Sequence, residues 1–293
     1  MEVLISGRVL SYDEEERLIA LRQNNQVRVY YLQRSMINRV GKYIEPGKFM
    51  QFIIFDDPRI YRGRKVYNVE YVSKIMSIRR RKNIVHYDIK DIRSGTKDLV
   101  NSLQYKMFLD LEMSMHPYKQ DKSFKQEIIQ VGIHLVDANN HPVYTYNEVI
   151  KPKLHKKLTR RTTKFLTLTQ DDVDQGIDFE LFYHEFKRLI VTYNPAIIVW
   201  GRNDFLALRE SYKINNLPNL HKMTRYINLL KLHKNYFNLK NDLGLFNALS
   251  LYQERPEEQA HNAYEDALFT SYIFEGFKKV VNGKKIVDIS NYK

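Results

Sequence analysis

Cysteine is absent from the 293 residues. That one absence removes disulfides, thiolate zinc sites and cysteine nucleophiles. A metal held by this chain must use oxygen or imidazole, which favours hard ions such as magnesium or manganese. Long apolar runs are also missing, with no stretch of about 18 apolar residues to span a bilayer. Glu2 leads into polar alternation rather than a secretory leader pattern. The expectation is a soluble, cytoplasmic protein with no membrane partner. Acid is in short supply: 34 Asp and Glu stand against 47 Lys and Arg, a net charge of +13. Such an excess suits a polyanionic partner, nucleic acid first, although surplus lysine also serves solubility alone. At one domain per roughly 150 residues, the length suggests two domains.

Up to about residue 80 the pattern is short strands with turn signals and almost no helical period. The candidate strands are Val3 to Tyr12, Arg17 to Arg22, Gln26 to Leu32, Phe49 to Phe55 and Val66 to Ile78. Turns are expected at Asp13 to Glu16, Asn24-Asn25 and Asp56-Asp57-Pro58. Only Ser35 to Val40 reads as a short helix, and it falls between the third and fourth strands. Five strands with a helix at that place predict a small OB-like barrel over residues 1–80. Barrels of this kind hold single strands on aromatic platforms along a basic groove. The candidates are Arg28 and Tyr30 on one strand face, Tyr67 and Tyr71 on another, and the basic loop residues Arg62, Arg64 and Lys65. The same aromatics fit a barrel core, and the same charges a solvated hairpin tip. The run Arg79 to Lys82 and the stretch to Leu103, with Ser94-Gly95-Thr96 in its middle, carry no sustained period. Residues 81–104 are accordingly expected to be a linker.

Residues 105–293 form the second domain. Met107-Phe108-Leu109-Asp110-Leu111-Glu112-Met113 reads as a strand that alternates between faces. Met107, Leu109, Leu111 and Met113 share one face; Phe108, Asp110 and Glu112 share the other. Like charges fixed side by side repel unless a proton or cation sits between them, so the pair suits a divalent metal; taken alone, it more commonly marks the wet face of a half-buried strand. Glu127 to Val136 and Tyr144 to Ile150 continue as an antiparallel meander. Phe179, Phe182, Phe186, Leu189 and Ile190 then recur at helical spacing, and Ala196 to Trp200 is apolar throughout, like a buried parallel strand. This is an α/β domain with a mixed sheet. Asp204 follows that strand at its carboxyl end, where ligands collect in such sheets, or where an Asp caps the next helix. His261 and Asp266 open a late helix, Ala263 to Phe277.

Taken jointly, Asp-x-Glu on a first strand, Asp after a buried strand and His-x4-Asp at a late helix resemble the DEDDh exonucleases, the superfamily of ribonuclease T and the proofreading epsilon subunit. The resemblance covers about residues 105 to 278. Glu127-Ile128-Ile129-Gln130-Val131-Gly132, Ile150-Lys151-Pro152 and Leu168 to Val173 support it, and Trp200-Gly201-x-x-Asp204 is similar to the branch that trims RNA 3′ ends. One departure is Asn228, where that branch often has Asp. The resemblance implies a ribonuclease H-like mixed sheet flanked by helices. It also implies hydrolysis from the 3′ end of RNA, releasing nucleoside 5′-monophosphates. Asp110, Glu112, Asp204 and Asp266 would hold two magnesium or manganese ions, and His261 would take the proton of the attacking water. Two other readings stay open: a single-stranded DNA 3′-5′ exonuclease, and a non-catalytic nucleic-acid-binding or regulatory protein, which has no need of all five residues.

Overall fold

The computed structural model describes residues 2–23, 26–80, 82–119, 123–166, 168–254 and 261–292. The expected turn at Asn24-Asn25 and Arg81 of the basic run lie outside them. The chain divides into two compact units: Met1–Thr96 with Asn235–Asn241 and Tyr292–Lys293, and Lys97–Lys234 with Asp242–Asn291.

In the first unit β1 (Glu2–Asp13), β2 (Leu18–Gln23), β3 (Gln26–Tyr31), β4 (Phe49–Tyr61) and β5 (Arg64–Ser77) pair in the order β3-β2-β1-β4-β5. A parallel pairing of Tyr30 with Tyr67 and Tyr31 with Asn68 closes them into a five-stranded OB-like barrel. α1 (Arg34–Val40) contributes Met36, Ile37 and Val40 to the barrel core, beside Tyr30, Phe52, Val69, Val72 and Ile75.

Three local expectations change. No turn forms at Asp56-Asp57-Pro58: β4 continues through a register shift to Tyr61, and the hairpin reverses at Arg62-Gly63. Both turn residues have positive φ, 48° and 75°, the two-residue geometry that follows strand twist. The shift lets Pro58 sit in a strand without breaking a regular ladder. Nor do Tyr67 and Tyr71 share a face. Register shifts leave β5 buried at Val66, Val69, Val72 and Ile75, so Tyr67 packs on the core and the simple alternation that joins it to Tyr71 is lost. Finally, residues 84–102 are structured. β6 (Ile84–Asp88) pairs with β5, and α2 (Ile89–Ser102) follows. Ile89, Thr96 and Val100 are buried at helical spacing. Gly95 looks like a breaker in sequence, yet it lies on the open side of the helix, where an added Cβ meets nothing.

The second unit is a six-stranded mixed sheet. β7 (Lys106–Met113), β8 (Ile128–Val136) and β9 (Pro142–Lys151) form the antiparallel meander. Two short helices follow, α3 (Arg160–Phe165) and α4 (Gln170–Asp174), the second opened by a Thr169–Asp172 capping box. β10 (Ile177–Asp178) extends β9 in parallel, α5 (Phe179–Tyr193) ends at Asn194 with φ 44°, and β11 (Ala196–Val199) lies parallel to β7. After α6 (Asn203–Ile214), β12 (Arg225–Asn228) gives the order β10-β9-β8-β7-β11-β12. α7 (Leu229–Phe237), α8 (Leu245–Leu249) and α9 (Ala263–Val281) complete the unit. Met107, Leu109 and Leu111 pack with Phe182, Phe186 and Leu189 of α5 and Leu208 and Tyr212 of α6. Phe108, on the other face, meets Phe274 of α9 with ring centres 5.7 Å apart. The meander, the parallel β11 and the split of β7 into two faces all follow the sequence pattern. No helix among the described residues is long and apolar enough to cross a membrane.

Candidate active site

β7 presents Asp110 and Glu112 toward α9, while its odd-numbered side chains anchor the strand in the core. β11 pairs with β7 only as far as Phe108. Past that point the β11-side edge of β7 lacks a strand partner among the described residues. Asp204, in the first turn of α6 and only 5% exposed, fills the gap: its Oδ1 accepts the Leu111 N–H at 3.0 Å. Asp204 is therefore a helix-start acid that reaches back to the strand of the other two.

α9 brings the remaining groups. Its N-cap Asn262 accepts the N–H groups of Tyr264 and Glu265. Asp266 lies in the first turn, 6% exposed, and His261 precedes the cap with φ 46°. Ligand atoms of Glu112, His261 and Asp266 all lie within 4.8 Å of one another. The His261 ring rests on Phe165 of α3, centres 4.3 Å apart. Phe165 is 49% exposed, and sequence reasoning missed it because its place beside His261 depends on tertiary packing alone.

Electrostatics confirm the convergence. Burial lifts the Asp110 carboxyl well above its ordinary value, and the charges of Asp204, Asp266 and Glu112 lift it further. Burial, then Asp266 and Asp204, push Glu112 up to about 8. Asp204 is raised by burial and held back in part by the backbone N–H groups it accepts. Three carboxyls raised by burial and by neighbouring carboxylate charge, Asp266's among them, make a site short of positive charge. Their hard oxygen donors fit magnesium or manganese, and a divalent cation reverses each of these shifts.

The surroundings brace the site. Thr162, fully buried, accepts the Met115 N–H at 2.9 Å and so ties the segment just after β7 to α3. The Glu127 carboxylate accepts the backbone N–H groups of Lys153, Leu154 and His155, pinning the loop after β9. Asn228 accepts the Lys231 N–H at 2.8 Å; it caps α7, a task that Asp performs as well.

On the barrel the sequence candidates separate. Tyr30 is fully buried, its hydroxyl donating to Gln23 at 2.6 Å and its ring edge-on to Phe52. It is a core residue and offers no face to a base. Arg28, Arg62, Arg64 and Lys65 are exposed, Arg62 pairing with Glu16; Tyr67 and Tyr71 are half-buried. A different cluster joins the β1–β2 turn to the β4–β5 hairpin. The Arg59 guanidinium lies 4.4 Å over Tyr31 and 5.5 Å over Tyr61, with Arg17 over Tyr31 at 5.2 Å and Arg62 over Tyr61 at 5.7 Å. Arg59 and Tyr61 were missed because the sequence places a turn, not a strand, beyond Phe55, and Arg17 because it reads as the first residue of a strand, whereas it lies in the turn before β2 with φ 60°.

Four acids and an imidazole gather at the carboxyl ends of β7 and β11, a donor set that fits a divalent metal. The chain belongs to the exonuclease family of ribonuclease T, whose pattern matches residues 107–274. It is similar to the protein named Probable 3'-5' exonuclease KapD of Bacillus subtilis (strain 168), with 31% identity over 170 residues, 58% of this chain and 82% of that one. It is also similar to the 3'-5' exonuclease crn-4 of Caenorhabditis elegans, 24% identical over 196 residues, 60% of this chain and 65% of that one. Among solved structures, the fold matches the nuclease domain of 3'hExo, a DEDDh family member, bound to rAMP. The TM-score there is 0.52 at 18% identity, covering 64% of this chain and 97% of that one. The protein is thus a 3′-5′ exonuclease of that family, a hydrolase of nucleic acid in a family that depends on divalent metal.

Proposed function

We propose that the substrate is RNA, trimmed from its 3′ end to nucleoside 5′-monophosphates by a two-metal reaction. The observation that carries the metal chemistry is the convergence of buried carboxyls: burial raises Asp110, Glu112 and Asp204, and the Asp266 charge raises all three further. In this reading Asp110, Glu112, Asp204 and Asp266 hold two magnesium or manganese ions. When bound, the ions acidify the attacking water and offset charge on the leaving 3′ oxygen. His261 accepts the water's proton. Phe165 keeps the His261 ring in place.

Support for RNA comes from two sources. The 3'hExo nuclease domain, a structural neighbour, binds rAMP. The barrel carries Arg17, Arg59 and Arg62 over tyrosine rings, a basic and aromatic surface suited to single strands. We assign residues 1–80 to that binding role and residues 105–293 to catalysis.

The test is a denaturing-gel time course on matched 5′-labelled RNA and DNA oligomers with magnesium or manganese, wild type beside Asp110→Ala. A ladder shortening from the 3′ end of RNA, absent in the variant, supports the proposal. Equal or faster loss of DNA moves the substrate to single-stranded DNA.

A further inference from the structure

The two residues of β8 that face the β7 carboxylates in register do no acid-base chemistry. Asp110 is paired with Gly132, and Glu112 with Gln130. Both touch the first turn of α9. A Cβ added to Gly132 would stand 2.2 Å from the Ala263 carbonyl carbon and oxygen and 2.3 Å from the Tyr264 nitrogen. Backbone cannot yield at such distances, so glycine here sets how closely the helix lies on the strand. Two residues along the same face, Gln130 is buried, 4% exposed. Its Oε1 accepts the Ala263 N–H at 3.2 Å, and its Nε2 donates to Asn147 Oδ1 at 3.3 Å.

The Ala263 N–H is one of the helix-start donors with no intrahelical acceptor. Asn262 serves its neighbours: its side chain takes Tyr264 and Glu265, and its carbonyl takes Asp266 at 2.9 Å. Gln130 supplies the remaining one. His261 lies two residues before Ala263, and Asp266 three after it. A shift of this turn along or away from β8 moves both, while Asp110 and Glu112 stay with β7.

We infer that Gln130 and Gly132 are positioning residues: together they form a seat on β8 that registers the first turn of α9 against the β7 carboxylates, and so sets His261 and Asp266 against Glu112. The catalytic consequence rests on the two-metal reading above, whereas the seat itself does not. Displacement on the ångström scale is enough to cost roughly 100-fold in rate.

The test compares Gln130→Met, which keeps the length and loses the acceptor, with Gln130→Glu, which keeps an acceptor for the Ala263 N–H. Three readouts are taken on the full chain: steady-state kinetics on a 5′-labelled RNA oligomer, manganese half-saturation, and hydrogen exchange of peptides covering residues 261–268. Gln130→Met is expected to lower kcat by roughly 10- to 100-fold, with KM little changed, manganese half-saturation raised and exchange of the α9 first turn faster. Gln130→Glu is expected to recover most of kcat and the slow exchange. Gly132→Ala should reproduce the Gln130→Met pattern by a steric route. Equal impairment of the two Gln130 variants overturns the inference, as does a loss of kcat that only tracks the folded fraction. A wild-type protein that cleaves nothing defeats the exonuclease reading, and the exchange comparison still decides the seat.

Discussion

Replacing Glu112 by Gln is expected to stabilise the metal-free protein at alkaline pH while it weakens metal binding. The unfolded carboxyl ionises near 4.5, whereas in the folded protein burial and the charges of Asp266 and Asp204 delay ionisation to about 8. Between those values the folded state holds a proton that the unfolded state has released. Stability therefore falls as pH rises across that window and levels off above it. At ~1.36 kcal/mol per pKa unit, the Glu112 shift sets a ceiling of about 5 kcal/mol. The side chain keeps part of its surface in water, and halving for solvent screening leaves roughly 2 kcal/mol. For a unit of this size that is about 4–8 °C in Tm. Gln carries no titrating proton in either state, so the penalty is absent from the variant. The assay is thermal unfolding of both proteins in EDTA, stepped from about pH 5 to about pH 8. Glu112→Gln should match wild type at the acid end and melt several degrees higher at the alkaline end. With manganese added, wild type should gain more than the variant and the order should narrow or reverse. A variant less stable than wild type in EDTA at the alkaline end, or a difference that does not change with pH, refutes the reasoning.

Three further outcomes follow from the same geometry. Arg59→Ala with Arg62→Ala should weaken single-stranded RNA binding and lower the salt dependence of log K by ~0.7 for each phosphate no longer neutralised; an unchanged slope removes these arginines from the interface. Asp204→Ala should leave the Leu111 N–H without its acceptor, whereas Asp204→Asn retains one. Both should lose nuclease activity, but the alanine should melt lower by the equivalent of about 1–3 kcal/mol, read as Tm in EDTA. His233, fully buried beside the Tyr252 hydroxyl, has its pKa lowered by burial to about 4. Unfolded histidine protonates near 6.5, so stability should fall as pH drops from 6.5 toward 4. His233→Gln should flatten that acid limb, as monitored by urea unfolding at each pH.

The acids were legible because each stands at a local landmark: alternation on β7, the end of an apolar strand, the first turn of a helix. The barrel strands were legible as short alternating runs, although the turn signal at Asp56-Asp57-Pro58 does not end its strand. What failed was any inference that needed a register. Tyr30 and Arg28 do alternate together, but closure of β3 on β5 through Tyr30 and Tyr67 turns that face inward at Tyr30. Pro58 looks like a turn residue until the β4–β5 register shift beside it is known, and Gly95 looks like a helix breaker until its side of α2 is known to be open.

Gln130 and Gly132 make the same point within the site. Both sit in a segment that the family resemblance already singled out, yet nothing local marks either as part of the machinery, since glutamine and glycine bring no titrating group. Their role depends on a pairing across 22 residues, Asp110 with Gly132, and on a helix that begins 131 residues later at Ala263. A Cβ is excluded at Gly132 because the backbone of that helix occupies its place. An enzyme that gathers its acids from a strand and two helix starts needs such fixtures, because each acid is held only as well as the element that carries it. β7 is fixed by its ladder and α6 by the Asp204 bond to Leu111. For α9 the corresponding fixture at its first turn is the seat on β8, which is why an uncharged pair there can govern the placement of charged groups.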